Sequence, residues 1–394
     1  MSAQKLYRFI PFRSADILAM CRAEGRLNDE ALGRFDQAAA YIQQSFKDEF
    51  HTLRNELKNI YFPLDPDADT RQVEIGSKAS EGDQSLVSKL ETLLERANYE
   101  RVGPEALAAA MESASLFHIR LAVDMEDYAE VLLYTRGASA RSEVLTGPLG
   151  LWKKAVSFVN YDRVVLYLRF KDDIEDNKGM ASYRPGAVML KLFQNVPDAD
   201  LEMLFPNTRV GMRLRDKLMI GIPALISGGI VLTTKLGATL VLLGSLIGFW
   251  LGMSSEAVTL DRNAVLALLA GAGTLGAYFW KQFSSFKNRK LRFTEALTRN
   301  LYFKLLDNNS GVLLRILDDA EESEIKESVL ALYFMMASPG PIAAAALDQD
   351  IERWFDQRWG YQMDFEIADA LDKLEYLGLA KCQNGIWQVL PVSA

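Results

Sequence analysis

The side chains that could perform acid-base or metal chemistry are few in this sequence, and they are widely spaced. Histidine occurs twice, at His51 and His118. His118 precedes an acidic segment containing Asp124, Glu126 and Asp127, and a histidine beside carboxylates can act as a general acid or base. The same pattern is typical of a strand histidine next to a solvated acidic turn, and we favour that interpretation.

A second acidic group, in the C-terminal third, has the donor type that hard divalent cations prefer. Its members are Asp318, Asp319, Glu321, Glu322 and Glu324. The simpler interpretation is the first turns of a helix over residues 321–336, because the helix dipole stabilises acids at a helix N-terminus. The sequence therefore predicts no metal site, no cofactor and no catalytic residue.

Common enzymatic motifs are missing from the sequence. There is no Gly-x-x-x-x-Gly-Lys-Ser/Thr loop, no His-Glu-x-x-His and no Gly-x-Ser-x-Gly. Cys21 and Cys382 lie far apart in the sequence, which favours a reducing compartment without a disulfide framework. No enzyme class is indicated, and the balance favours a protein that is not an enzyme.

The elements that must position these residues follow two patterns before residue 208. Apolar residues recur at three- and four-residue steps from Phe35 to Phe50 and again later, which predicts helices within residues 13–115, with a break at Pro63 and Pro66. Alternation with a period of two then predicts strands, separated in one case by the turn Asn160-Tyr161-Asp162. The predicted strands are 117–123, 128–135, 154–159, 163–170 and 187–193. Residues 1–208 are therefore predicted to be an α+β domain with an antiparallel sheet.

Three uncharged stretches follow, at residues 218–234, 236–253 and 264–280. A helix needs about 20 apolar residues to cross a bilayer, with about 17 as the lower limit. Lys235 separates the first two stretches and predicts a break there. We therefore expect a membrane protein with a transmembrane helical hairpin, the membrane block covering residues 209–292.

Basic residues on both sides of this block predict its orientation. They are Arg209, Arg213, Arg215, Lys217, Lys281, Lys287, Arg289, Lys290 and Arg292. The positive-inside rule places both flanks in the cytoplasm, so the number of crossings is even. Two crossings with one re-entrant or buried stretch satisfy this parity, and the sequence leaves open which stretch fails to cross.

Small residues in the block predict close packing of helices. Gly244, Gly248 and Gly252 stand four residues apart on one helix face, and Gly273 and Ala277 form a similar face. Packing within one chain is favoured over packing between copies, and a homo-oligomer is a reasonable expectation.

The C-terminal region, residues 293–394, has the element order of a winged helix. A stalk helix ends at the segment 307–311, and helices at 321–336, 347–359 and 364–377 precede a short hairpin. Acids outnumber bases about two to one from residue 294 onward, and such a surface repels the phosphates of nucleic acid. We therefore predict no nucleic-acid binding by this acidic domain.

Several longer motifs resemble a known family. They are Tyr7-Arg8-Phe9-Ile10-Pro11-Phe12-Arg13, residues 193–206, Leu301-Tyr302-Phe303-Lys304, Asp307-Asn308-Asn309-Ser310-Gly311 and residues 321–327. Together they resemble the transmembrane protein 143 family, a domain-of-unknown-function group. The resemblance implies a membrane protein of bacteria, plants or animal mitochondria, and it implies no particular activity. Since the N-terminus has no transit-peptide pattern, a bacterial member is expected.

These observations favour a membrane-anchored, non-enzymatic interaction or scaffolding protein. The expected location is the inner, cytoplasmic membrane of a bacterium, with several crossings and with both soluble domains in the cytoplasm. The expected partners are the lipid bilayer, further copies of the chain and an unknown protein. An oligomeric channel or transporter, with Lys235 or the glycine face lining a path, is the alternative, and a hydrolase using His118 ranks third.

Overall fold

The computed structural model describes residues 7–69, 79–103, 105, 107, 120–123, 125–146, 153–173, 185–211, scattered positions between 244 and 299, and 301–391. The chain forms two compact units. Unit 1 comprises Met1–Ser113, Asp124–Asn207 and Lys304–Ala394, and unit 2 comprises Ala114–Val123 and Thr208–Phe303. The predicted three-part division stays a prediction; in the structure, segments from both ends of the chain belong to unit 1.

Three helices form the N-terminal part of unit 1: α1 (Ser14–Ala23), α2 (Asp29–Tyr61) and α3 (Ala79–Arg96). The side chain of Asn28 caps α2 by accepting a hydrogen bond from the backbone N–H of Ala31, at 2.8 Å. Phe35, Ile42 and Phe50 form the buried face of α2. The predicted helix and its end before the two prolines are confirmed.

The main sheet of unit 1 is antiparallel and has the strand order β1-β3-β4-β5-β7. These strands are β1 (Glu100–Arg101), β3 (Tyr128–Thr146), β4 (Lys153–Phe170), β5 (Val188–Pro197) and β7 (Leu305–Asn308). In unit 2, β2 (Arg120–Ala122) pairs with β6 (Arg209–Gly211). An antiparallel sheet was predicted, and the structure confirms it.

The predicted turn Asn160-Tyr161-Asp162 is wrong. These residues lie inside β4, where Asn160 is opposite Ser139 of β3 and opposite Pro197 of β5. Asn160 is also buried. Strand pairing on both sides outweighs the local preference of asparagine and aspartate for turns. One long strand therefore replaces the two predicted short ones.

The C-terminal part of unit 1 begins with α4 (Ser310–Ala337), followed by β8 (Ile342–Ala343), α5 (Ala344–Trp359), α6 (Ile367–Tyr376), β9 (Ala380–Gln383) and β10 (Ile386–Val389). The last strands form a sheet with the order β8-β10-β9. The predicted order of three helices and a hairpin is confirmed. The predicted start of the first helix at residue 321 is wrong, because α4 begins eleven residues earlier.

The largest core of unit 1 lies between the helices and one face of the main sheet. Leu132, Val165 and Leu190 belong to it together with the buried faces of α1 to α6. The short 3₁₀ segment Asp198–Leu204 packs against β4 and β5. Unit 1 is thus a mixed fold in which α4 contacts α1, α2, α3, α5 and α6.

The membrane prediction is corrected by the structure. Among the described residues, no helix combines the length and the apolar character that a bilayer crossing requires. The fold class of a membrane protein with a transmembrane hairpin, and the location in a bacterial inner membrane with several crossings, are therefore not supported. The channel or transporter alternative depended on the same crossings and is not carried further.

The membrane prediction assumed that each uncharged stretch forms one helix along its full length, and composition alone does not establish this. In the stretch 236–253, the helical positions 247–250 are followed by a turn, and Gly252 has a φ of 73°. A residue in this left-handed conformation ends a helix. The stretch 218–234, Lys235 and most of the stretch 264–280 lie outside the described residues.

Candidate functional site

A group of paired polar and charged side chains lies around the middle of α4, with Glu324 and Glu327 buried at its centre. We call it the α4 ion cluster, and its members are Glu49, Arg96, Asn98, Glu324, Glu327, Asp369 and Lys373. They come from α2, α3, the residues after α3, α4 and α6. Because other helices cover α4 on several sides, its polar side chains must find partners on those helices rather than in water.

Lys373 is the central cation of the cluster. Its ammonium group forms ion pairs with Glu324, Glu327 and Asp369, and the distance from its Nζ to Glu327 Oε2 is 3.1 Å. The Lys373 side chain is only 13% exposed. Burial on its own disfavours the charged amine, but the three carboxylates outweigh it and raise the pKa of Lys373.

Arg96 is the second cation, and it connects α2 to α4. Its guanidinium pairs with Glu324 and also with Glu49, with 2.8 Å between Nη1 and Glu49 Oε1. The same guanidinium lies over the ring of Phe50, 4.5 Å from the ring centroid. The planar guanidinium of Arg96 therefore connects α2, α3 and α4 at one point through two ion pairs.

Carboxylates outnumber cations in the cluster by four to two. Glu327, which is fully buried, accepts a hydrogen bond of 2.8 Å from Asn98 Nδ2. Burial raises the pKa of Glu327 to about 7, although Lys373 and Asn98 act in the opposite direction. The cluster therefore contains a carboxyl group that titrates near neutral pH.

The three carboxylates around Lys373 also have the donor set of a metal site. One oxygen from each of Glu324, Glu327 and Asp369 lies within 4.8 Å of the other two. The ammonium group of Lys373 pairs with all three, so the chain itself already compensates part of their charge. This arrangement is that of a buried ion-pair network rather than an open ligand set.

A second polar group joins α4 to the N-terminal segment. Lys326 donates a hydrogen bond of 3.0 Å to the carbonyl of Ile10, and its Nζ lies 4.7 Å from the centroid of the Phe9 ring. Arg136 lies over the same ring at 4.4 Å and pairs with Asp319 at 3.0 Å. Burial lowers the pKa of Lys326 to about 8. The motif 7–13, noted in the sequence, therefore packs on the helix that carries the motif 321–327.

A third group joins the proline-containing loop after α2 to the start of α4. Ser310 donates a hydrogen bond of 2.6 Å to Asp65, and Asn309 donates one to Asp67. The side-chain oxygen of Asn309 accepts a bond of 3.0 Å from the backbone N–H of Leu190. Asn309 has φ 48° and ψ −120°, a conformation that residues other than glycine rarely adopt. The predicted stalk helix ending at the segment 307–311 is wrong, because helical residues 301–304 are followed by β7 at Leu305–Asn308 and α4 begins at Ser310.

The acids proposed for a divalent cation are separated by their partners in the structure. Asp318 pairs with Arg54, Asp319 with Arg136, and Glu324 with Arg96. Glu322 accepts hydrogen bonds from the backbone N–H and the hydroxyl of Ser14, the latter at 3.0 Å. They are not first-turn residues either, because α4 begins at Ser310. Both interpretations offered from the sequence are therefore replaced by pairing of these acids with side chains of α1, α2, α3 and β3.

The remaining predicted residues are placed only in part. His118 and Asp124 lie outside the described residues, so the hydrolase hypothesis that used them stays untested. Asp127 is buried and accepts a hydrogen bond of 3.0 Å from Asn207, while His51 lies near Asn55 on the exposed face of α2.

The residues predicted to pack helices, and the basic flank, lie mostly in unit 2. Gly244, Gly248, Gly252, Gly273 and Ala277 are described, and their packing role stays a prediction. Of the basic flank, Lys281 and Lys287 are exposed and Arg209 lies in β6. Arg213, Arg215, Lys217, Arg289, Lys290 and Arg292 lie outside the described residues.

Sequence reasoning missed the cations of the α4 ion cluster. Lys373 stands between Leu371 and Leu374 on the buried face of α6. Glu324 and Glu327 stand beside Ile325 and Ser328 in the buried part of α4, residues 323–335. Charged residues at the spacing of the apolar face were the available signal. Their partners are more than two hundred residues away for Arg96 and Glu324, so spacing alone does not identify the pairs.

Comparison with known proteins identifies one region of the chain. Residues 161–311 match the model of a family described as a protein of unknown function (DUF3754). No solved structure matches the chain. The matched region begins within β4 and ends at Gly311, next to the strained Asn309. The likeness to the transmembrane protein 143 family stays a prediction. The chain therefore carries, at residues 161–311, a domain of unknown function.

Proposed function

We propose that this protein is a non-enzymatic interaction or scaffolding protein that associates with further copies of itself through unit 2. The observation that carries the proposal is the exposure of large apolar side chains in unit 2. Trp250 is 88% exposed and Leu269 is 66% exposed. Apolar side chains exposed together are typical of surfaces that bind another protein.

The exposed residues follow a helical spacing. Val265, Leu266, Leu269, Gly273 and Ala277 are described as helical and exposed, and we call them the unit 2 strip. Steps of three and four residues place them on one side of a helix. A side chain added at Gly273 would meet no atom within 4 Å, as at Gly244 and Gly248. Within the described part of one chain, these glycines therefore have room for a neighbour.

A second copy of the chain is the partner that this strip fits best. Each copy carries a net charge of −8, so two copies repel one another over most of their surface. The unit 2 strip has no charged residue, and two identical apolar strips related by a two-fold axis are complementary to each other. Small residues at Gly273 and Ala277 also let two helices approach closely.

The internal pairing in unit 1 supports a role without catalysis. The charged groups of the α4 ion cluster bind one another, and Lys326 binds the carbonyl of Ile10. Groups used in this way hold helices together and do not face a substrate.

Sedimentation velocity of the full chain tests the proposal. We expect the unaltered protein to sediment as an oligomer and Leu269→Asp to weaken the association at least about tenfold, because an unpaired carboxylate would be buried in the interface. Tyr376→Asp is the matched control, since Tyr376 is 85% exposed but lies in unit 1. A monomeric unaltered protein, or equal weakening by both substitutions, would contradict the proposal.

A further inference from the structure

Unit 1 contains a cleft that is lined by none of the residues of the α4 ion cluster. Its volume is about 680 Å³, and it lies between the first half of α2, the last turns of α4 and the chain around β10. Small-molecule sites usually have volumes of about 300–1,000 Å³. The cleft therefore has the size of a ligand site.

Most of the residues that line the cleft are apolar, and Gln37, Ser338 and Gln388 add polar groups to the walls. Leu332 and Met335 line it from α4, and Trp387 and Val389 line it from β10. Methionine adapts its shape to an apolar guest, and a tryptophan offers a flat surface for it. These walls favour a hydrocarbon or aromatic group over a polar one.

One cation, the exposed residue Arg34, stands beside these walls. Arg34 lines the cleft from α2, four residues before the buried Ala38, so both lie on the same side of that helix. Within the described part of the chain, its guanidinium has neither an ion pair nor a hydrogen bond, and no acidic residue lines the cleft. This differs from the other arginines discussed above, Arg54, Arg96 and Arg136, each of which pairs with a carboxylate.

We propose that the cleft binds a small apolar molecule carrying one carboxylate, with the apolar part between Met335 and Trp387 and the carboxylate on Arg34. A guanidinium offers two parallel N–H donors, which match the two oxygens of a carboxylate. The single positive charge among the residues that line the cleft fits a ligand with one negative charge.

Calorimetric titration of the full chain with decanoate tests this site, with decanol as the neutral probe of equal chain length. We expect one decanoate per chain and about tenfold weaker binding of decanol, because decanol cannot form the paired bonds to the guanidinium. Arg34→Gln is expected to weaken decanoate about tenfold and to leave decanol unchanged. Arg353→Gln is the matched control, since Arg353 is an exposed arginine of α5 that pairs only with Asp350 among the described residues.

A second variant separates the cleft from the apolar strip of unit 2. Ala31 is half-buried and lines the cleft, so Ala31→Phe is expected to narrow it and weaken decanoate binding, with the fold checked by circular dichroism. Binding that survives Ala31→Phe but is lost in Leu269→Asp would place decanoate on unit 2 and overturn the proposal. Equal affinity for decanoate and decanol, or unchanged decanoate affinity in Arg34→Gln, would overturn it as well.

Discussion

Replacing the central cation of the α4 ion cluster gives the sharpest test of how unit 1 is held together. Lys373→Met keeps a long side chain of similar volume and removes the ammonium group that pairs with three carboxylates. Removing one partner from a buried ion pair costs about 3–5 kcal/mol, because the remaining charge stays buried without compensation.

The structure places the expected cost near the lower end of this range. Arg96 still pairs with Glu324 in the variant, and Asp369 is half exposed, at 51%, so water can solvate it. Glu327 is the group left with only Asn98 as a partner. We therefore expect a loss of about 3 kcal/mol in the free energy of unfolding. At roughly 2 °C for each kcal/mol, the midpoint of thermal unfolding falls by about 6 °C.

The loss is expected to depend on pH through Glu327. Its pKa is raised to about 7 by burial, against an ordinary value of 4.5, so the folded state holds the proton more tightly than the unfolded state. The stabilisation from this proton is complete below the ordinary value and is lost as the pH rises through about 7. Without Lys373 the pKa of Glu327 rises further, because the nearby cation that lowers it is gone. The difference between the variant and the unaltered protein is therefore expected to be small at pH 5 and larger at pH 8, because it grows as the pH rises above about 7.

Urea unfolding followed by far-UV circular dichroism at both pH values measures these effects. Lys381→Met is the matched control, since Lys381 is an exposed lysine of β9. The double variant Lys373→Met with Glu327→Gln is expected to recover about half of the loss, because the buried group is then neutral. A loss that stays the same at both pH values, or a double variant as unstable as the single one, would refute the argument that Glu327 carries the cost.

The other predictions for unit 1 concern single side chains and use the same unfolding measurement. Asn309→Ala removes the hydrogen bond to Leu190 and keeps a side chain at a positive φ, so we expect the free energy of unfolding to fall by about 2–3 kcal/mol. Asn309→Gly relieves the backbone strain, so its loss is expected to be about 1 kcal/mol smaller. Equal losses in the two variants would show that the backbone there is not strained. Lys326→Met is expected to lower the free energy of unfolding by at most about 1 kcal/mol, clearly less than Lys373→Met. The reason is that Lys326 binds the uncharged carbonyl of Ile10, so its removal leaves no carboxylate unpaired among its direct contacts. A loss as large as that of Lys373→Met would contradict this ranking.

Helices and their order were the most predictable part of the fold. The buried face of α2 and its end before Pro63 follow from apolar spacing and from the geometry of proline, which are local properties. The order of α4, α5, α6 and the final hairpin also follows from local patterns. The segment 160–162 shows the limit of this reasoning, because its turn preference is local while its strand conformation depends on pairing with β3 and β5.

The candidate site was less predictable because its contacts join distant parts of the chain. The acids from Asp318 to Glu324 resemble a helix start or a metal site when they are considered alone. Their actual partners, Ser14, Arg54, Arg96 and Arg136, are brought to α4 by the packing of other elements. The helix predicted over residues 236–253 was wrong for a related reason, since an uncharged composition does not determine where a helix ends.

The interrupted path of the chain through unit 1 has a consequence for biosynthesis. Residues before 208 and residues after 303 build the same unit, and α4 supplies the surface on which α1, α2 and α3 pack. While the ribosome translates unit 2, the nascent N-terminal helices are already outside the exit tunnel without their main packing surface. Their apolar faces must stay shielded, by chaperones or by one another, until residue 337 has emerged.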